Sequence, residues 1–248
     1  MLRRDLLRPA VATLFGTLCR APELSGITLI GGTALALQIG HRVSLDLDFA
    51  TFDKTLPAGR IDQLMSRLKN AGHAAQLVTS PSHTAQFKIN TGKRLQDYVR
   101  DYVVDGVKVT FFAHGKSDLL RVFYRDTPKV CEPGMTFDLL GIEGLKVAKT
   151  LVLADRVRSR DLYDLMILVR DHGFTPELLF AVARNFGTVD DPEHYKAILR
   201  GEIPLDSGDE GLEPADVAAD PAQIHRFFSE ALSDYEITLA RDFFLSHP

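Results

Sequence analysis

The sequence predicts an α/β (α+β) protein: a mixed β-sheet with flanking helices in residues 1–130, followed by a helical half in residues 131–248. Three observations carry this reading. Residues 43–49 alternate strictly between apolar and polar side chains, the period of a half-buried strand. Asp105-Gly106 separates two runs rich in β-branched and aromatic residues, a strong signal for a tight hairpin. From Phe137 onwards the apolar residues fall at helical spacing, in segments bounded by Pro and Gly.

In chain order, residues 5–20 read as a first helix, with Leu6, Leu7, Val11, Leu14, Phe15 and Leu18 near helical spacing and Pro22 beyond its end. A short apolar run at 27–30 leads into Gly31-Gly32-Thr33 and a helix-compatible segment at 34–39. Gly40-His41-Arg42 then breaks the pattern before the alternating strand. Residues 57–71 form a helix with Ile61, Leu64, Met65 and Leu68 on one face and Gly72 as its stop. Residues 75–79, 84–90, 95–104 and 107–113 read as strands. Helices are expected at 142–154, at 160–170 with Ser159 as N-cap, and at 176–186, 192–199 and 221–244, with a loop over 203–220.

Composition narrows the function classes. A length of 248 residues allows one large domain or two small ones, and an apolar content of 45% suffices for a full core. No run of about 18 apolar residues exists, so neither a membrane span nor a membrane partner is expected. The two cysteines, Cys19 and Cys131, have no metal-type spacing and build no disulfide framework, which fits a reducing, cytoplasmic setting. The net charge of −4 argues against a generally basic nucleic-acid binder. Charge is uneven, however: residues 86–170 hold 15 Lys/Arg against 11 Asp/Glu, and residues 201–248 hold 2 against 11. A local positive groove for polyphosphate or RNA is therefore compatible with the acidic total.

The chemistry concentrates at residues 31–48. On a strand over 43–49, Ser44, Asp46 and Asp48 project from one face and Val43, Leu45, Leu47 and Phe49 from the other. Residues two apart on a strand lie roughly 6.5–7 Å apart. Asp46 and Asp48 are thus candidate metal ligands that can converge on one magnesium ion, a cation held by oxygen ligands together with substrate phosphates. The pair Gly31-Gly32 lets backbone approach a phosphate closely. Thr33 falls at a helix N-terminus, where free N–H groups and the dipole favour anions.

A Gly-Gly-Thr turn followed by Asp-x-Asp resembles the signature of the polymerase-beta-like nucleotidyltransferase fold. The fuller string, GGTALAL…GHRVSLDLDF, resembles the AbiEii/AbiGii-type toxin nucleotidyltransferases. A second constellation, Lys146-Val147-Ala148-Lys149…Arg156…Arg160-Asp161-Leu162-Tyr163-Asp164, resembles the same family, in which a lysine and an arginine precede an Arg-Asp-x-x-Asp-type helix. Lys149 is the preferred match to the family lysine and Lys146 the second.

The resemblance implies a magnesium-dependent transfer of a nucleoside monophosphate from an NTP to an acceptor hydroxyl. In it Asp46 and Asp48 hold Mg2+, while Gly31, Gly32 and Thr33 seat the phosphates with Arg42 and Ser44 beside them. Lys149 clamps the triphosphate, with Lys146, Arg156 and Arg160 as further nucleotide contacts. Asp161 or Asp164 orients the lysine or acts as base, and the site lies between the two halves. The resemblance also implies a toxin of a bacterial toxin–antitoxin or phage-defence (abortive infection) pair, with tRNA as one candidate acceptor and a cognate antitoxin as a partner.

Other readings of the same residues stay open. Arg160 and Asp164, four apart on a helix, also fit a plain surface ion pair. Asp161 also fits a simple helix-start residue. His41 and Arg42 serve a turn equally well, and His73, His83, His114 and His172 read as structural. The sequence departs from the family at Thr110, which stands where a third carboxylate is expected, with Asp101 and Asp105 as possible substitutes. That departure predicts weak activity. It keeps two alternatives in view, a small-molecule (antibiotic-type) nucleotidyltransferase and a nucleotide-binding module without chemistry.

Overall fold

The computed structural model describes residues 2–189 and 191–246. The chain divides into two compact units, residues 1–145 and 146–248.

The first unit opens with a 3-10 turn at Arg4–Leu6 and helix α1, Pro9–Leu18. The helix starts later than its apolar spacing suggests, because Arg8 precedes a proline and is pushed out of the helical region. Strand β1 (Thr28–Ile30) runs directly into α2 (Gly31–Ile39), which Gly40 ends in the left-handed conformation. Then come β2 (Leu47–Thr51), α3 (Ala58–Asn70), β3 (Ala75–Leu77) and α4 (Pro81–Thr91). They are followed by β4 (Val99–Val104), β5 (Val107–Ala113), α5 (Asp118–Asp126), β6 (Lys129–Val130) and β7 (Asp138–Leu140).

The seven strands form one mixed sheet in the order β3-β4-β5-β2-β1-β7-β6. β2 lies parallel to β5 and antiparallel to β1, which in turn lies parallel to β7. Phe49 of β2 stacks on Phe111 of β5 at 5.5 Å between ring centroids, and Phe137 meets Phe49 edge-on at 5.0 Å. These fully buried rings fix the apolar face of the two central strands, so their polar neighbours turn to the opposite face.

The second unit holds most of α6 (Ile142–Val152), then α7 (Ser159–Asp171), α8 (Pro176–Phe186), α9 (Pro192–Arg200) and α10 (Pro221–Ser246). Side-chain oxygens of Thr175 and Asp191 cap α8 and α9, each with Pro at the first helical position. Leu162, Leu165, Met166 and Leu168 of α7 enter the core of this unit. Among the described residues no helix is long and apolar enough to cross a membrane.

Further sequence expectations change, among them a strand over 95–104 that begins only at Val99, after a 3-10 turn at Leu95–Asp97. Residues 84–90 lie in helix α4 rather than a strand: Ser80 accepts the His83 N–H, Pro81 follows it, and Gly92 (φ 70°) closes the other end, so caps at both ends outweigh local β propensity. The ladder of β2 begins at Leu47, not at residue 43. Upstream of it Ser44 is buried and makes an isolated bridge to Leu7, while Val43 and Leu45 are part-exposed, so the expected alternation is inverted there. Asp138–Leu140 is a strand, held by pairing with β1 that its own three residues do not advertise. Ser159 is the first residue of α7 rather than its cap; its N–H and hydroxyl both donate to Asp209.

Candidate functional site

The glycine pair sits where β1 becomes α2. Gly31 takes φ 74°, a conformation that favours glycine, and turns the chain straight into the helix. A Cβ on Gly31 would lie 2.9 Å from Asp48 Oδ2, and one on Gly32 would collide with the Arg42 guanidinium. The two glycines thus clear space at the positive end of α2 for side chains of this same chain. Asp48 enters that space because it pairs with Ile30, the last residue of β1. Arg42 is buried there and donates from Nη1 to the Val43 carbonyl at 3.1 Å.

Thr33 and Ser44 are buried too, and their hydroxyls bond to each other. Thr33 Oγ1 also donates to the backbone carbonyl of Asp46. The threonine therefore ties the first turn of α2 to the chain entering β2 and sets the approach of Asp46. Asp46 and Asp48 themselves remain part-exposed. The first unit accordingly gathers Gly31, Gly32, Thr33, Arg42, Ser44, Asp46 and Asp48 into one neighbourhood.

Across the sheet, Asp48 is in register with Thr110 of β5, and Thr110 with Asp101 of β4. Cross-strand partners share a face, so Asp48, Thr110 and Asp101 form one polar row. Thr110 Oγ1 donates to Asp101 Oδ1 at 3.1 Å. Asp105 does not join the row. It sits in the β4–β5 hairpin at φ 50°, its carboxylate taken by His73 Nδ1 at 2.6 Å and the Ala74 N–H at 2.8 Å.

The second unit gathers Lys149, Arg156, Asp161 and Asp164. Lys149 Nζ lies 2.6 Å from Asp161 Oδ1 and 2.6 Å from Asp164 Oδ2, and Arg156 Nε donates to Asp161 Oδ2 at 2.9 Å. Lys149, Asp161 and Asp164 are all buried, Asp164 completely. Burial alone would push the Asp161 carboxyl up. The Lys149 and Arg156 charges and the Lys149 hydrogen bond outweigh it, so Asp161 lies below the usual carboxylate range. The cluster is charge-balanced, with two cations against two carboxylates.

The surface-pair reading of Arg160 and Asp164 therefore fails: Asp164 is buried against Lys149, and Arg160 bonds Glu210 instead. Lys146 is buried with its ammonium 5.8 Å from the centroid of the Phe174 ring. What sequence reasoning left undecided was which carboxylate accompanies Thr110. The signal lay in the hairpin: Asp101 is four residues before Asp105 and Thr110 four after Gly106, so a tight two-residue turn brings them opposite each other.

The candidate ligands at Asp46 and Asp48 are carboxylate oxygens, with the Arg42 guanidinium against the adjoining Gly32, and the Asp48 carboxylate lies in a cradle that any Cβ on Gly31 would fill. That donor set suits magnesium, which binds through one or two carboxylates plus phosphates. Among the described residues no group of three or more His, Cys, Asp and Glu forms a complete all-protein metal cage.

Comparison with known proteins gives a consistent picture. A family model described as "Nucleotidyl transferase AbiEii toxin, Type IV TA system" matches residues 12–242. The uncharacterized protein aq_aa25 of Aquifex aeolicus (strain VF5) is 26% identical over 213 residues, covering 84% of this chain and 86% of that protein. The crystal structure of a candidate nucleotidyltransferase from H. pylori superposes with a TM-score of 0.50 at 20% identity, covering 92% of this chain and 94% of that one. At that identity the likeness speaks to the fold.

Proposed function

The chain belongs to the AbiEii family of nucleotidyl transferase toxins, and on that footing we propose that it transfers a nucleoside monophosphate from an NTP to an acceptor hydroxyl, releasing pyrophosphate. The observation that carries the reading is the cradle at Gly31, where the Asp48 carboxylate lies at the N-terminal end of α2 beside the part-exposed Asp46. Free N–H groups and the helix dipole at that end favour a polyphosphate, and the two carboxylates would hold a divalent cation that neutralises it.

Asp46 and Asp48 are the residues that would hold Mg2+, which supplies charge neutralisation to the phosphates when bound. In this reading the backbone at Gly31-Gly32 seats the phosphates and Arg42, which packs over Gly32, is their cationic partner. Thr33 and Ser44 act through position, by holding the Asp46 segment. In the same reading Lys149 neutralises triphosphate charge, with Asp161 and Asp164 orienting its ammonium. Lys146, Arg156 and Arg160 are secondary contributors to nucleotide binding. The acceptor is an RNA, tRNA being the first to test, and the biological setting is that of a toxin with a cognate antitoxin. Thr110 favours one second reading, a nucleotide binder with little chemistry, since a hydroxyl is a poor metal ligand and no base near neutral pH.

The test is direct. Each of the four labelled NTPs is incubated with purified protein and total tRNA, with magnesium and with chelator, beside an Asp46→Ala control. Label covalently retained on RNA, dependent on magnesium and on Asp46, is the expected result. Label retained on small molecules only, or on nothing while NTP still binds, would replace this reading with one of its two alternatives.

A further inference from the structure

Helix α4 is unusual in this protein: none of its residues is buried. Ile89 on it is 83% exposed. A helix with no apolar face in a core gains little from packing, and its faces are open to a ligand. The sequence around it is equally uneven. Residues 63–96 contain no Asp or Glu, in a chain with 33 of them, but hold Arg67, Lys69, Lys88, Lys93 and Arg94. Lys88, Lys93 and Arg94 are exposed on α4 and the loop after it, and no ion pair engages any of them among the described residues. The next acid along the chain is Asp97. Phe87 and Tyr98 lie part-exposed with ring centroids 5.8 Å apart, and Lys93 Nζ stands 5.5 Å from the Tyr98 ring centroid.

The placement of this arm ties it to the acidic pair within the same unit. Asp48, Thr110 and Asp101 form one row across β2, β5 and β4. The row continues one strand further: Asp101 donates its N–H to Thr79 Oγ1 at 3.1 Å, and its carbonyl accepts from Val78 N–H at 2.8 Å. Ser80 follows at once and caps α4. Three strand spacings separate β2 from the β3 edge, so α4 springs from the sheet roughly 14 Å from Asp48. A few nucleotides of single strand span that distance.

We infer that the α4 arm, residues 80–98, is a docking surface for a single-stranded polynucleotide whose terminal hydroxyl is the acceptor at Asp46 and Asp48. The inference rests on the proposed transferase reading for its orientation, and on charge and exposure for the surface itself. Unpaired cations beside a part-exposed aromatic pair are the elements that track a phosphate backbone and stack its bases. Helix and loop carry no negative charge of their own from Thr79 to Gln96 to repel it.

The experiment measures binding of labelled single-stranded RNA, the matching DNA and total tRNA to the full chain, without NTP, from about 50 to 200 mM salt. The variants are Lys88→Glu/Lys93→Glu/Arg94→Glu and the milder Lys88→Gln/Lys93→Gln/Arg94→Gln. All three positions are exposed, so circular dichroism should be unchanged, and calorimetric NTP binding should match wild type. The expected result is salt-dependent RNA binding by wild type, weakened about tenfold or more in the charge-reversed variant. Its log–log salt slope should be shallower by about two, the share of three lost phosphate contacts on a single strand. The neutral variant should fall between them. RNA and DNA bound equally would still support the surface and assign choice of sugar elsewhere.

Absence of wild-type binding at low salt would overturn the inference, as would an unchanged affinity and slope in both variants. Poly-glutamate binding tighter than RNA of equal charge would also overturn it, by pointing to an acidic protein partner. A protein that binds RNA through α4 yet transfers no label would instead overturn the transferase reading and leave the surface standing.

Discussion

Thr110 donates its hydroxyl to Asp101 Oδ1 at 3.1 Å, which places a carboxylate one strand beyond the residue that faces Asp48. The missing carboxylate of the central strand thus has a neighbour of the right chemistry on the same face. Asp101→Asn should lower single-turnover transfer by about 10²-fold or more, the low end of general-base assistance, while NTP affinity changes less than severalfold. Thr110→Asp should raise the transfer rate, and most in the Asp101→Asn background, because two carboxylates directly opposite on adjacent strands repel. A fast wild type that Thr110→Asp slows would show that the base comes from elsewhere, with Asp161 and Asp164 the first to test.

Asp46→Ala should abolish magnesium-dependent transfer with little change in thermal stability, since the side chain is part-exposed and its backbone carbonyl carries the hydrogen bond from Thr33. Asp48 differs. Its carboxylate shares the space over Gly31-Gly32 with the buried Arg42. Asp48→Asn keeps the shape and is the cleaner variant; Asp48→Ala should also cost about 1–3 kcal/mol of stability by leaving Arg42 less well partnered. Full activity in both Asp46→Ala and Asp48→Asn, with circular dichroism unchanged, would remove the metal-site assignment.

The Lys149 cluster predicts a stability effect that does not depend on chemistry. Lys149→Met leaves two carboxylates buried without their ammonium, a loss of about 3–5 kcal/mol in urea unfolding near neutral pH. Asp161 lies below its usual range in the folded state, so its contribution is present above the ordinary carboxylate range and fades as pH falls through the lower folded value. Asp161→Asn should therefore narrow its stability gap to wild type as the solution is acidified below about pH 4. A Lys149→Met variant as stable as wild type would show that the three groups are solvated in solution and that the cluster is no structural element.

Both motif segments were legible in the sequence because each rests on local spacing. Asp46 and Asp48 are two apart, Gly31-Gly32 abuts a helix, and Asp161 and Asp164 share one face of α7. What escaped depends on contacts between distant residues. Nothing within residues 43–46 reveals that Thr33 will draw Ser44 inward, so the alternating pattern there misreads which side chains are buried. Strand β7 owes its existence to β1, more than a hundred residues earlier. Helix α4 was missed because Phe87 and Ile89 suggest a strand, whereas the Ser80 and Gly92 caps decide otherwise. The same positions read as surface pairs and turn residues by spacing alone, and only the burial of Asp164 separates a surface pair from a buried triad.

The last prediction concerns His114, which the sequence left as a structural histidine. It follows β5 and stacks among aromatic rings, with Tyr124 at 4.5 Å and Phe112 at 5.4 Å between centroids. The residue is part-exposed, yet its Nε2 is out of solvent and without a hydrogen-bond partner among the described residues. Burial, and secondarily the charge of Lys116, pull its pKa down to about 4. In the unfolded chain the imidazole titrates near its ordinary value of about 6.5. Between these two values the unfolded state binds a proton that the folded state refuses, so stability falls as pH is lowered from about 6.5 to about 4 and levels off below. The full effect is at most on the order of 3 kcal/mol, the free energy that separates a pKa of about 6.5 from one of about 4. His114→Phe removes the titration, so urea unfolding of this variant should show a flatter pH dependence across that window, whatever its absolute stability. The absolute value is not the readout, because a slightly larger ring in a packed site costs about 1–3 kcal/mol by itself. Equal slopes in wild type and His114→Phe between pH 6.5 and 4 would show that the imidazole is protonated in the fold and reaches solvent through a path the packing of Tyr124 does not close.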